Sequence, residues 1–213
     1  MLTIKSLLKS IPGVKALARS MGLMRPQEPH SRRFLLEMLP KNSVGAEIGV
    51  HKGGFSKQIL RIVNPQKLHL IDPWKHEEAN TYKDAWYGGK VTGGQSDMDA
   101  RHEAVRAKFE TEIDSGQIVI HRGYSNEMLQ KFDNESLDWV YIDGNHLYEF
   151  VKQDLELGFQ KTKLGGYITG DDYTTGGWWQ GGVKKAVDEF AKKEAVELVK
   201  LQRGQFILKK VKH

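Results

Sequence analysis

The chain has 213 residues, 28% of them charged, with a formal net charge of +5 and no cysteine. That length suits one sizeable domain, or one domain plus an appendage, and the composition lies far from the disordered extreme. The absence of cysteine excludes disulfides, thiolate catalysis and Cys-ligated zinc, and no apolar run approaches the ~20 residues of a membrane-spanning helix.

The positive excess is local. Residues 1–27 carry Lys5, Lys9, Lys15, Arg19 and Arg25 without an acid, which leaves 27 basic against 27 acidic side chains in the rest. A nucleic-acid-binding fold would carry a basic stripe on its body, so no nucleic-acid partner is expected. The N-terminal arm, residues 1–29, alternates apolar and basic residues and breaks at Pro12-Gly13. It reads as a lid or dimer-packing helix, with contact to a membrane surface as the second option. Lysines interrupt its apolar stretches, which argues against a secretory signal. A cytoplasmic homo-oligomer is the expectation.

After the Pro-rich joint "RPQEPHS", the segment "RRFLLEML" predicts a helix that ends before Pro40. "VGAEIGV" (44–50) predicts a strand, "GFSKQILRIV" (54–63) a helix and "KLHLID" (67–72) a strand. A glycine- and aromatic-rich insertion follows at about 73–100. A helix is expected over 97–114, a strand over 117–123, a helix over 125–132 and a strand over 137–144. Then come a helix over 148–160, a strand over 165–170 and a helix over 181–194. Two closely spaced strands end the chain, 196–201 and 205–211, joined by "QRG". Alternating β and α units imply a parallel sheet with helices on both faces, whereas the last short link permits only an antiparallel hairpin. The expected fold of residues 30–213 is a doubly wound α/β, mostly parallel seven-stranded sheet with an antiparallel last strand.

Ligands of such sheets bind beyond the carboxyl ends of the strands, and those ends are rich in acids and glycines. The first ends "AEIGVHKGGFS", with Glu47, Gly49 and Gly53 at a tight turn that opens a helix. The spacing is not G-x-G-x-x-G, and an acid before the turn would repel a pyrophosphate, so a cationic or zwitterionic cofactor fits better. Asp72 closes the second strand, where a carboxylate can accept from both hydroxyls of a ribose. Tyr124 and Ser125 follow the third strand; Ser125 can cap the next helix while its loop borders the adenine side of a nucleoside. The fourth strand runs into "VYIDGNHLYE", which places Asp143 at the rim and His146 three residues on. The fifth ends in the adjacent acids Asp171 and Asp172. Three carboxylates at one rim cannot all stay ionised unaided. A divalent cation removes the conflict, and oxygen ligands favour Mg²⁺, with Mn²⁺ or Ca²⁺ as alternatives.

These pieces resemble a family: the class I S-adenosylmethionine-dependent methyltransferases. The likeness is greatest to the small metal-dependent O-methyltransferases that act on sugars of macrolide and aminocoumarin antibiotics, and extends to catechol-type enzymes. "AEIGVHKGGFS", "LHLIDPW", "GYSNEML", the stretch from "WVYIDGNHLYEF" to "GGYITGDDY", and "GVKKAVDEF" carry it, in order, over residues 43–190. The resemblance implies a Rossmann-like fold with S-adenosylmethionine as cofactor. Glu47, Gly49 and Gly53 would lie along its methionine part, Asp72 on the ribose, and Tyr124 and Ser125 beside the adenine. Asp143, Asp171 and Asp172 would ligate Mg²⁺, and Asp143 or His146 would take the proton of a small-molecule hydroxyl acceptor, a sugar or polyol before a catechol-like phenol. Trp74, Tyr82, Trp86 and Tyr87 of the insertion, with Trp178 and Trp179, suit a lid over that acceptor. A metal-dependent hydrolase and a non-catalytic cofactor-binding module are the rivals from other classes.

Overall fold

The computed structural model describes residues 32–212. The chain divides into two compact units, Met1–Phe34 and Leu35–His213; the expected arm helix over residues 1–29 lies outside the described residues.

The helices are α1 (Arg33–Met38), α2 (Gly54–Val63), α3 (Gly94–Lys108), α4 (Glu110–Asp114), α5 (Ser125–Leu129), α6 (Tyr148–Lys161) and α7 (Gly182–Lys193). The strands are β1 (Val44–Ile48), β2 (Lys67–Asp72), β3 (Ile118–Arg122), β4 (Leu137–Ile142), β5 (Thr162–Gly170), β6 (Val196–Gln202) and β7 (Gln205–Lys210). They form one sheet in the order β3-β2-β1-β4-β5-β7-β6. The neighbours from β3 to β5 pair in parallel, while β7 runs antiparallel to both β5 and β6. β1 lies between β2 and β4, so the chain winds away from it in both directions, and the crevice of a doubly wound sheet opens at that reversal.

Local chemistry explains the elements. The central strands β1 and β4 are buried along nearly their whole length, which is why they read as near-continuous apolar runs. In α2 the buried residues Ser56, Ile59 and Val63 keep a helical period, and Asn64, in the left-handed region at φ 48°, ends the helix by donating its N–H to Ile59 and Leu60 carbonyls. The β6–β7 link is tighter than the three residues "QRG" suggest. Gln202 pairs with Gln205, and only Arg203 (φ 53°) and Gly204 (φ 79°) turn, both left-handed, the backbone of a type I′ hairpin.

Two segments depart from the expected pattern. The helix expected over 97–114 breaks at Phe109 (φ −117°), whose buried ring packs against the turn at Gly53. Burial of that ring decides the break. β5 starts at Thr162, directly after α6, rather than at residue 165. Its register against β4 jumps from Leu137–Thr162 to Trp139–Tyr167, and Gly165 sits at φ 80° in the extra segment. The buried ammonium of Lys210 makes this abrupt junction tenable by donating to the Phe159 and Thr162 carbonyls (3.1 and 3.0 Å) and to Glu135 (3.0 Å).

One pair of histidines is kept neutral by packing. His69 on β2 and His121 on β3 are diagonal neighbours on one face, with Nδ1 of the first 2.9 Å from Nε2 of the second. Burial, then the neighbouring His121 and Lys67, lower His69 from 6.5 to about 4, and burial with Lys131 lowers His121 as well. The fold therefore favours neutral imidazoles. Their contribution is complete above the unfolded value of 6.5 and is lost as pH falls towards about 4. Urea midpoints measured across that window should fall for the wild type and fall less steeply for His69→Gln.

Candidate functional site

The site is built at the carboxyl ends of β2, β1, β4 and β5. After β1 the chain turns at Gly49 (φ 89°), whose N–H donates to the Ile71 carbonyl at 2.9 Å, while Asp143 N–H donates to the Ile48 carbonyl at 2.8 Å. A Cβ on Gly49 would come within 2.0 Å of the Asp143 carbonyl oxygen, so only glycine lets the first and fourth strand ends approach this closely. Gly53 (φ 66°) precedes α2, and Glu47 is buried in β1.

Asp72 ends β2 with 1% of its surface exposed. Its Oδ2 accepts from the N–H groups of Val50 and His51 (both 2.9 Å) and from the Tyr87 hydroxyl; its Oδ1 accepts from Trp74 N–H at 2.7 Å. Burial pushes this carboxyl up, and the four donors work against it. Burial and the Asp72 charge hold Tyr87 well above the usual phenol range. The Tyr124 hydroxyl donates to Glu77 at 3.0 Å. Ser125 does not cap α5: Tyr124 is the cap residue without a side-chain bond, and the Ser125 hydroxyl binds Asp154.

At the other strand ends, ligand atoms of Asp143, His146 and Asp172 come within 4.8 Å of one another. His146 Nε2 lies 2.7 Å from Asp172 Oδ2 and 3.4 Å from Asp143 Oδ1. Burial would lower this imidazole, but hydrogen bonds to the two carboxylates outweigh it and raise it to about 9. Asp171 is not in that group; its Oδ1 accepts from Gln205 on β7 and from the Asp172 N–H at 2.8 Å. The structure thus gathers Asp143, Asp172 and His146. Two carboxylate oxygens and one imidazole nitrogen, already drawing a proton for balance, form a donor set that fits a divalent cation.

Aromatic rings wall this cluster. Trp179 and Trp178 lie 4.9 and 6.1 Å from the His146 ring, and Tyr82 of the insertion stands edge-on to Trp178 at 5.5 Å. Asn145 donates to the Tyr82 hydroxyl at 2.8 Å and accepts from Leu147 N–H at 3.0 Å, so it joins the insertion to the start of α6. Trp74, expected in the lid, is fully buried instead, packed on His102 and donating its indole N–H to the His51 carbonyl at 2.9 Å.

A family model described as "Methyltransferase domain" matches residues 46–173, the span from the glycine turn to the paired aspartates. The chain belongs to this methyltransferase family. Membership makes S-adenosylmethionine the methyl donor. The Gly49–Gly53 turn at the head of α2, with the buried acids Glu47 and Asp72 beside it, fits a positively charged donor that carries a diol. Solved structures share the fold. A Corynebacterium glutamicum protein is 14% identical over 99% of this chain and 96% of its own, with a TM-score of 0.60. The O-methyltransferase NovP is 22% identical over 92% and 88%, with a TM-score of 0.59. The N-methyltransferase NodS from Bradyrhizobium japonicum is 14% identical over 87% and 96%, with a TM-score of 0.56. No curated protein matches the sequence. No helix among the described residues is long and apolar enough to cross a membrane.

The methyltransferase also holds a buried acid away from the strand ends. Asp154 is 1% exposed on α6, its Oδ1 has no partner among the described residues, and Oδ2 lies under Gly144, next to Asp143. The signal was in the sequence: Val151, Asp154, Leu155 and Gly158 form the buried stripe of that helix, and one of them is an acid. Burial, partly offset by the Ser125 hydroxyl, raises Asp154 from 3.8 to about 7. The folded protein thus prefers the protonated acid, a preference complete below 3.8 and lost as pH rises through about 7. Asp154→Asn removes the ionisation. Its thermal midpoint relative to wild type should climb by several degrees as pH is raised from about 4 to about 8, as followed by circular dichroism.

Proposed function

We propose that the methyltransferase transfers the methyl group of S-adenosylmethionine to a hydroxyl of a small molecule, most readily a sugar or polyol, with help from a hard divalent cation such as Mg²⁺. The observation that carries this reading is the Asp143–His146–Asp172 cluster beside the glycine turn. A methyltransferase acting on an amine has less need of a cation held by two carboxylates, because an amine that has lost its ammonium proton is already a good neutral nucleophile. A hydroxyl is a poor nucleophile at neutral pH and needs both acidification and a base.

In this reading Glu47, Gly49 and Gly53 hold the methionine part of the donor, Asp72 the ribose, and Tyr124 and Ser125 border the adenine. Asp143 and Asp172 would hold the cation, which supplies positive charge between the carboxylates and acidifies an acceptor hydroxyl. With Asp143 and Asp172 so engaged, the balancing proton on His146 would no longer be needed, and the neutral imidazole would be free to take the hydroxyl proton. Trp178, Trp179 and Tyr82 offer flat faces to a sugar ring and keep water from the rim, and alignment of acceptor and donor supplies much of the rate. The buried Trp179 indole N–H, without a partner among the described residues, is available to an acceptor oxygen.

S-adenosylhomocysteine should raise the melting temperature by several degrees while NAD does not, as binding linkage requires. Methyl transfer to a panel of sugars, polyols and catechols should stop with EDTA and return with Mg²⁺. Asp172→Asn should lower turnover by roughly 100-fold or more and leave the S-adenosylhomocysteine shift in place. Full turnover in the variant, or activity indifferent to EDTA, would sink the metal-assisted reading.

A further inference from the structure

Asp72 is unevenly bonded without any ligand. Each carboxylate oxygen offers about two lone pairs; Oδ2 already takes three donors, the N–H groups of Val50 and His51 and the hydroxyl of Tyr87, while Oδ1 takes only the Trp74 N–H. Three of these are backbone groups, and Val50 and His51 belong to the turn that the strand ends lock in place. The fourth is a side chain on the insertion, which lies outside the sheet and whose main chain Arg101 holds through the Trp86 carbonyl at 2.8 Å. Its segment around Tyr87 is a run of turns closed by short-range bonds, Glu77 N–H to the Tyr87 carbonyl at 2.7 Å and Gly88 N–H to the Ala85 carbonyl at 3.2 Å. Trp86, beside Tyr87, is 58% exposed.

We propose that Tyr87 holds the place of a ribose hydroxyl on Asp72, so that the adenosyl donor enters by displacing it and thereby loosens the insertion. The inference rests on the donor-site reading of Asp72. A ribose diol that bonds both oxygens of the carboxylate finds a place on Oδ1 but none on Oδ2, and Tyr87 is the Oδ2 donor that can leave without undoing a strand end. Exchange of one hydroxyl for another keeps the buried carboxylate satisfied throughout, which avoids stranding a charge in the interior. The same insertion carries Tyr82, which meets Asn145 and Trp178 beside the Asp143–His146–Asp172 cluster. Displacing Tyr87 therefore reaches the acceptor side as well, through the chain that joins Tyr87 to Tyr82.

Titration calorimetry with S-adenosylhomocysteine on wild type and Tyr87→Phe tests this without turnover. Phenylalanine keeps the ring and removes the competing hydroxyl, so the variant should bind about ten-fold tighter, a gain of about 1.4 kcal/mol. Equal or weaker binding by the variant overturns the exchange and leaves the donor site standing. No binding by either protein overturns the donor-site reading and the exchange together. Hydrogen exchange on the wild type covers the case of a variant that does not fold: saturating S-adenosylhomocysteine should speed exchange of amides in residues 77–91, whereas added protection throughout that segment refutes displacement.

Discussion

Negative charge concentrated at one end of a parallel sheet is the constraint that the rest of this molecule answers. Glu47, Asp72, Asp143, Asp171 and Asp172 stand at or just beyond the carboxyl ends of four adjacent strands. Such ends also collect strand carbonyls, and burial there favours protonation of an acid rather than its charge. The chain meets the cost in different ways. Asp72 is surrounded by donors, Asp171 is taken by Gln205 and a backbone amide, and Asp143 with Asp172 share a histidine that turns cationic between them. Only the last arrangement leaves its charge balance to an exchangeable species. That separates the part of the rim suited to chemistry from the parts that hold it in shape.

Strand-end acids were legible in the sequence because apolar runs announce where strands stop, and the order of β and α units with a short final link gave the sheet and its reversed strand. What stayed hidden depends on torsions and on partners distant in sequence. Two adjacent aspartates look equivalent in a line of text. Asp172 sits in the left-handed region at φ 58° while Gln205, from a strand that pairs antiparallel to β5, donates to Asp171. Neither fact has a local signature. Tyr87 was visible as one aromatic among several in the insertion, but its bond to Asp72 crosses a stretch with no periodicity to place it. Asp154 is the opposite case, since an acid on the buried stripe of α6 is a pattern the residues display openly.

Backbone strain follows the same map. Three non-glycine residues that flank the rim, His51 (φ 54°), Trp74 (φ 39°) and Asp172 (φ 58°), occupy the left-handed region just after β1, β2 and β5. Each such placement costs on the order of 1–3 kcal/mol and lasts only where neighbours over-determine it. Here they do. His51 gives its N–H to Asp72 and receives the Trp74 indole on its carbonyl, Trp74 gives its own N–H to the same carboxylate, and its ring is wholly buried. Asp172 is held by Asp171 on one side and by Thr174 N–H at 2.7 Å on the other.

On the donor-site reading, Asp72 does two jobs that pull in opposite directions. As the hub that fixes two strained loops it must stay ionised, buried and fully bonded, since each donor it loses releases a loop whose torsions are unfavourable on their own. As an acceptor for a ligand it must give up a bond. A carboxylate ringed by backbone amides alone could serve only the first purpose, and one open to water would serve the second but fail to hold the loops. On the proposed exchange, three backbone donors and one side-chain donor reconcile the two: the loops keep their amides whichever hydroxyl occupies the fourth position, so exchange would cost the site little of its shape.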